Sequence, residues 1–259
     1  MSSLFSQSMY CYRALVSGAS FWGFVANNIL RPVMFVLMCG IPLQYALGGR
    51  VDSLRLLSIV VFCAVPSMSF GIVECFGRER WAGTMSLVLI STGSKLENFL
   101  ARALFHFPAA ITSIAFGGMV FAATFDAGLE HADHLTVVVA VAVILLSVAG
   151  FMLFVGSLAT LLRNWGILVI FVDVVLMLAT DTLIPIHELP KAFQALGTVL
   201  PISHGIDGFR AGLTGASLRD VHGDLLLEAI TGFVYLVAGY VIFRLLDRLA
   251  RRGVLLNEV

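Results

Sequence analysis

The chain has 259 residues, of which 59% are hydrophobic and only 12% charged, with a mean hydropathy of +0.97 and 16 Lys+Arg set against 16 Asp+Glu. A soluble domain carries about a quarter charged residues, so too few polar groups are present to clothe a water-facing surface, and the composition is that of an integral membrane protein. Zero net charge leaves no basic field to hold a nucleic acid by counterion release, which argues against that class of partner.

In chain order, Met1 to Tyr12 has none of the basic region, apolar core and small-residue cleavage site of a secretory signal, so insertion is expected to use the mature spans. Phe5, Met9, Tyr12 and Val16 recur at helical spacing with Ser6, Arg13 and Ser17 on another face. That pattern predicts a helix lying in the interface over residues 1–30, with Asn27, Asn28 and Arg31 at the bend into the first span. The competing reading takes Ala14 to Leu30, also uncharged, as a seventh crossing.

A helix needs about 20 apolar residues to cross a hydrocarbon core of roughly 30 Å. Six stretches qualify: Pro32 to Gly49, Arg55 to Glu74, Ala103 to Phe125, Leu135 to Leu162, Trp165 to Ile184, and Leu225 to Phe243. The fifth is interrupted by Asp173 and Asp181, and the sixth carries Glu228 near its start. The predicted fold is therefore all-α, one transmembrane domain over residues 1–259 with spans one to five within 31–184 and the last span and tail in 225–259. Arg13, Arg78, Arg80, Lys95, Arg102, Arg163, Arg244, Arg248, Arg251 and Arg252 fall on one side, and Arg50, Arg55, Lys191, Arg210 and Arg219 on the other. The positive-inside rule then places both termini in the cytoplasm.

Two segments between spans carry information. After the second span, an Arg78-Glu79-Arg80 knot leads through Gly83-Thr84 into a short apolar run, and Ser94 with Glu97 has capping-box spacing at the start of the next helix. A short amphipathic element held there suits docking to a cytoplasmic partner, and an ordinary positive-inside loop explains the same residues. Before the last span, residues 185–224 are too apolar for a solvated loop. Pro190 fits the first turn of one helix, Ser203 could cap a second and Gly215 end it, while Phe193, Leu196 and Leu200, and then Ile206, Phe209 and Leu213, are spaced for apolar faces. A re-entrant pair of short helices on the outer side is the expectation.

At these two places the chain resembles the permease subunits of type-2 ABC exporters. The resemblance rests on Glu-Arg-x-x-Gly-Thr after the second span, here Glu79 to Thr84, and on Leu-Pro...Leu-Pro-x-x-His...Arg before the last, here Leu189 to Arg210, and their order covers nearly the whole chain. The family often has a proline a few residues after Gly-Thr, where this chain has Ser91-Thr92-Gly93. The resemblance implies a multi-pass subunit of the inner (cytoplasmic) membrane with no nucleotide site or catalytic residue of its own. ATP and Mg would belong to a partner ATPase subunit, bound in two copies, with a second permease copy or a paralogue alongside. It implies that Glu79, Arg80, Gly83 and Thr84 couple to that partner and that Pro190, Pro201, His204 and Arg210 form an outer gate.

The remaining polar residues have two readings each. Asp173, about 15 Å of helix rise beyond Arg163, lies near mid-membrane and must face protein or a water-filled cavity, either lining a translocation path or bonding to a neighbouring helix. Asp181 reads as interfacial. His106 reads as a satisfied core histidine, because no second metal ligand is suitably spaced, and His204 as either a gate residue or a helix-start hydrogen bond. Cys11, Cys39, Cys63 and Cys75 form no C-x-x-C pair and read as small buried hydrophobes. Three functions follow: the membrane half of an ATP-driven exporter of a drug, lipid or modified peptide, or of a polysaccharide; a proton-coupled secondary transporter using Asp173; and an intramembrane enzyme, which would need catalytic groups clustered at one depth.

Overall fold

The computed structural model describes residues 21–46, 53–81, 95–104, 106–125, 131–162, 164–183 and 186–251. Among them every regular element is helical. The first helix begins as α1 (Phe21–Val25), passes through a π turn (Ala26–Leu30) and continues without a break as α2 (Arg31–Ala46). Pro32 explains the wide turn. Its ring nitrogen has no proton to give the carbonyl of Asn28, and the preceding N–H, of Arg31, reaches back five residues to the carbonyl of Ala26. The orphaned Asn28 carbonyl is instead approached by the Ser113 hydroxyl at 3.5 Å. The bend expected at Asn27, Asn28 and Arg31 is thus a π turn inside one helix, and the apolar span starts at Trp22 rather than after Arg31. The interfacial pattern of residues 5–17 lies outside the described residues.

The second span is formed by α3 (Ser53–Phe62) and α4 (Ala64–Trp81), which meet at Cys63. Pro66 is four residues after Phe62, so that carbonyl loses its helical donor and the ladder loosens there. This span is the buried centre of the molecule, with Met68, Ile72 and Phe76 sealed from the surface. Helices α5 (Lys95–Leu104) and α6 (His106–Thr124) make the third span, and α7 (His134–Ala159) the fourth. Ser94, the predicted cap of α5, lies outside the described residues.

The fifth helix, α8 (Trp165–Ala179), has 15 residues. That gives roughly 22 Å of rise, short of a core about 30 Å thick. Among the described residues five helices are long and apolar enough to cross a membrane, at Trp22–Tyr45, Leu54–Gly77, Phe99–Thr124, His134–Ala159 and His222–Leu249, where the sequence suggested six. The chain leaves the helix at Thr180 and turns through Asp181 in the left-handed region (φ 55°). Two short helices follow, α9 (Lys191–Val199) and α10 (Ser203–Leu213), before α11 (His222–Arg251). Between them and α11, Asp220 accepts hydrogen bonds from the hydroxyl (2.7 Å) and N–H (2.9 Å) of Ser217, which holds its carboxyl below the usual carboxylate range.

Small residues set a close contact between α7 and α11. A Cβ on Gly232 would fall 2.4 Å from the Ser147 Cα, and one on Gly150 would fall 2.4 Å from the Gly232 carbonyl oxygen. Backbones this close allow side chains to bond across, as in membrane helix pairs with small residues at the seam. Ser147 donates to the Glu228 carbonyl at 3.2 Å and Ser157 to the Gly239 carbonyl at 3.1 Å. The opposite faces are apolar and exposed, including Ile167, Ile170, Phe171 and Val174 on α8 and Ile230, Phe233, Val237 and Val241 on α11. Contiguous apolar surface of this kind is what hydrocarbon solvates and water does not.

The packing also sorts the helix ends. Phe76, Phe99 and Phe243 form one aromatic cluster with the Arg102 guanidinium 4.2 Å above the Phe76 ring, and Trp165 packs on Gly77. These residues adjoin the segments that carry the more basic set. At the other end Phe125 packs on Gly40, and the Asp133 N–H donates to the Gly212 carbonyl at 2.9 Å.

Replacing Gly232 with Ala is expected to lower the thermal unfolding midpoint in detergent, at a cost of about 1–3 kcal/mol for overpacking. Gly223→Ala, where an added Cβ meets nothing within 4 Å, is the control and should leave it unchanged or slightly raised. Equal midpoints for the two variants would contradict the close α7–α11 crossing.

Candidate functional site

Among the described residues, polar constellations interrupt the apolar interior. The first is at mid-depth and follows from helix arithmetic. Trp165 packs on Gly77, and counting eight residues inward from that contact brings Asp173 on α8 level with Ser69 on α4, about 12 Å along each helix. The Ser69 hydroxyl donates to Asp173 Oδ2 at 3.0 Å. Arg31 arrives from the first helix, its Nη2 3.8 Å from the same oxygen, beyond hydrogen-bonding distance. The guanidinium lies 4.6 Å above the Phe70 ring and donates to Asn27 Oδ1 at 3.3 Å. Behind it, Asn28 accepts from Ser67 at 2.8 Å and donates to the Phe24 carbonyl at 3.2 Å. Asp173 Oδ1 is buried and without a hydrogen-bond partner. A charge at this depth costs about 2.5–3.5 kcal/mol on insertion scales, which a partly neutralised, hydrogen-bonded pair offsets.

The second constellation holds the outer helices. Arg210, in the last turn of α10, donates through Nε to Ser58 on α3 at 2.8 Å, through Nη2 to the Asp181 carbonyl at 2.6 Å, and through Nη1 to the Asp181 carboxylate. The other Asp181 oxygen accepts from the Ile186 N–H at 2.9 Å. Asp181 is a ligand of Arg210, and its left-handed backbone is what aims both its carbonyl and its carboxylate at one guanidinium. This clamp is also why α8 stops at Ala179.

At the N-terminus of α10 the expected cap, Ser203, does not form: its Oγ is buried and without a partner. Ile202 occupies the capping position with φ 88°, a strained conformation for a β-branched residue, and it has no side-chain oxygen to offer. Glu228, fully buried on α11, replaces it, accepting from the Ile202 N–H at 2.7 Å and the Gly205 N–H at 3.0 Å. One remote carboxylate thus serves both donors that a local capping box would satisfy, at the end of the helix where the macrodipole favours an anion. Gly205 is required here, because a Cβ would meet Ile144 at 2.3 Å and the Glu228 side chain at 3.1 Å. At the far end Gly215 (φ 91°) closes α10 as expected, its N–H bonding the Gly212 carbonyl and that of Ala216 the Ala211 carbonyl.

The predicted face Ile206, Phe209 and Leu213 is buried. The face Phe193, Leu196 and Leu200 is only partly so. Leu196 is exposed, because α9 packs instead through Gly197, where a Cβ would sit 2.4 Å from the Ala179 carbonyl. Pro190 precedes α9 in the extended backbone its ring favours, Pro201 is buried in the turn before α10, and His204 is half-buried in the first turn of α10, outside the Glu228 cap. Glu79 and Arg80 fall in the last turn of α4, while Gly83 and Thr84 lie outside the described residues. His106 is buried against Gly71, with Cys75 Sγ 3.9 Å from its Nε2. Among the described residues no three His, Cys, Asp or Glu side chains gather as a metal site.

The family model of the ABC-2 type transporter matches residues 12–214. The chain belongs to the ABC-2 type transporter family. No curated protein and no solved structure matches it. An ABC-2 chain is a multi-pass membrane permease of an ABC transporter, and the family generally works with an ABC ATPase. In this ABC-2 chain the match takes in the π turn, Asp173, Asp181 and Arg210 and ends at Thr214, short of Glu228.

Glu228→Ala is expected to leave the Ile202 and Gly205 N–H groups buried and unpaired, at about 1–3 kcal/mol each. Amide hydrogen exchange at those two positions should accelerate, less so in Glu228→Gln, which keeps one acceptor. Unaltered protection in Glu228→Ala would contradict the capping role.

Proposed function

We propose that this chain is the translocating subunit of an exporter that moves an amphipathic or hydrophobic molecule, such as a drug, a lipid or a modified peptide, out of the cytoplasm. ATP is hydrolysed with Mg in a separate subunit, two copies of which serve a pair of permeases, this chain with itself or with a paralogue. The observation that carries the reading is the sorting of helix ends: the cluster of Phe76, Phe99, Trp165 and Phe243 adjoins the strongly basic segments, and the Arg210 clamp lies at the far end. By the positive-inside rule the basic end and both termini are cytoplasmic, in the inner membrane.

On this reading Glu79, Arg80, Gly83 and Thr84 receive the push of the closing ATPases at the inner end of α4. Helix α4 is the lever. It carries Ser69, hydrogen-bonded to Asp173 at mid-depth, and continues through the Cys63 joint into α3, whose Ser58 holds Arg210. A rigid shift of that span disturbs both polar constellations at once. Asp173 lines the path. Pro190, Pro201, His204 and Arg210 belong to the outer gate, formed by α9 and α10 dipping into the outer leaflet. Such broken helices are tolerable at membrane depth only when their ends are satisfied internally, as the Glu228 cap and the Gly215 turn satisfy those of α10.

Affinity purification from the native membrane is expected to bring down an ABC ATPase subunit; its absence would count against the reading. Glu79→Ala should leave insertion intact, with ATP hydrolysis by the complex continuing while export falls, and unchanged export would remove Glu79 from the coupling region. Asp173→Asn keeps an acceptor for Ser69, so the purified protein is expected to remain folded in detergent. Unfolding of that variant would make Asp173 a structural residue rather than one lining the path.

A further inference from the structure

The two short outer helices are held in different ways. Of the nine residues of α9 Gly197 alone is buried, whereas α10 buries seven of its eleven, Ile206, Phe209 and Leu213 among them. Charge-assisted bonds fix α10 at both ends, to Glu228 at its start and from Arg210 near its finish. Where α9 meets the last span the bond is neutral: the Tyr235 hydroxyl donates to the Val199 carbonyl, at the end of the helix, at 3.2 Å. A neutral hydrogen bond has roughly half the strength of a charge-assisted one, and a segment with little buried surface opens at a lower free energy than its neighbours.

The ends of α9 have the geometry of hinges. Pro190 before it and Leu200 after it are both extended, each with ψ 147°. A few element-terminal residues of this kind absorb the dihedral change when a rigid element swings. Beyond Leu200 and Pro201, the Glu228 carboxylate holds the Ile202 N–H, so motion of α9 stops before α10. Between the hinges α9 rests on the end of α8 through Gly197, whose Cβ would fall 2.4 Å from the Ala179 carbonyl oxygen. Tyr235 lies eight residues from Phe243 in the inner aromatic cluster, as Asp173 lies eight from Trp165, about 12 Å of rise in each case. The residue that holds the end of α9 is thus rooted at the height of Asp173.

We propose that α9 is the moving leaf of the outer gate, swinging on Pro190 and Leu200 while α10 stays in place, and that the Tyr235 hydroxyl is its latch. The proposal rests on the exporter reading for the existence of a gate and adds which element moves. When the leaf swings out, the Tyr235–Val199 bond and the Gly197 seat part together, while the bonds of α10 to Glu228, Ser58 and Asp181 remain made. Tyr235 is a positioning residue. Its ring is held independently, 4.8 Å between centroids from Phe151 and 5.4 Å from Phe154, so the hydroxyl can be removed without loss of that packing.

The test uses the full chain in phosphatidylcholine nanodiscs without nucleotide and reads distances between pairs of nitroxide labels carried on p-acetylphenylalanine, which leaves the native cysteines untouched. The common reference is position Met119, exposed on α6; the second label is at Ala195, exposed on α9, or at Thr214, exposed at the end of α10. Tyr235→Phe is expected to raise the ratio of the displaced to the resting α9 distance by about threefold to tenfold, the worth of one neutral hydrogen bond. Gly197→Ala, which pushes the leaf off its seat, should raise the same ratio, and in both variants the α10 distance should stay single and unchanged. An α9 distribution in Tyr235→Phe identical to that of wild type overturns the latch. Displacement of α9 and α10 together overturns the separate leaf, since the two helices would then move as one body. Because the distances are read on the permease alone, failure here leaves the exporter reading standing, while failure to recover an ATPase subunit leaves the α9 distances standing.

Discussion

In hydrocarbon, a backbone N–H or carbonyl that leaves its helix has no water to turn to, so each interruption of a span must be answered by another part of the chain. This protein interrupts its helices repeatedly, and three of the interruptions are met by a named group. The carbonyl freed by Pro32 is approached by Ser113, and the N–H groups at the start of α10 are taken by Glu228. The early end of α8 is met by Arg210, which gathers the carbonyl and carboxylate of Asp181 and the hydroxyl of Ser58. Polar residues inside regular stretches are bonded as well, Ser69 to Asp173 and Ser147 and Ser157 to carbonyls of the last helix.

The same constraint links the outer helices to the transmembrane bundle. Helix α10 is joined by side-chain bonds to α11 at its start and to α3 and the end of α8 near its finish. Each bond is charge-assisted and partly or fully buried, so it is stronger than its counterpart in water, and losing one partner leaves the other stranded. Such joints favour discrete rearrangement over gradual deformation, which is the behaviour expected of a gate.

Much of this was legible in the sequence. The second, third, fourth and last spans, the pair of short helices before the last span, the Gly215 turn and the apolar face of Ile206, Phe209 and Leu213 follow from hydropathy, helical spacing and the conformational freedom of glycine. What escaped was long-range. Nothing local distinguishes Glu228 from an acid near the end of a span, or says that it, rather than Ser203, caps α10 from 26 residues away. The pairing of Asp181 with Arg210, 29 residues on, has no local sign either, and it accompanies the early end of the fifth helix. The π turn had a local sign, Pro32 placed just after Asn28 and Arg31, yet the same residues also read as a bend. A buried acid in an apolar span is the signal that would have found both Glu228 and Asp181, had each been assigned a donor.

The central claim is that the chain is a conduit driven from outside itself. Reconstitution tests it most directly: proteoliposomes containing this chain alone or with its ATPase subunit are loaded with ATP on the ATPase side, and movement of a fluorescent amphipathic molecule across the membrane is followed. The account predicts no ATP-dependent movement for the chain alone and directional movement once the ATPase is present. ATP hydrolysis by the chain alone, or transport without the ATPase that rises and falls with an imposed proton gradient, would contradict it.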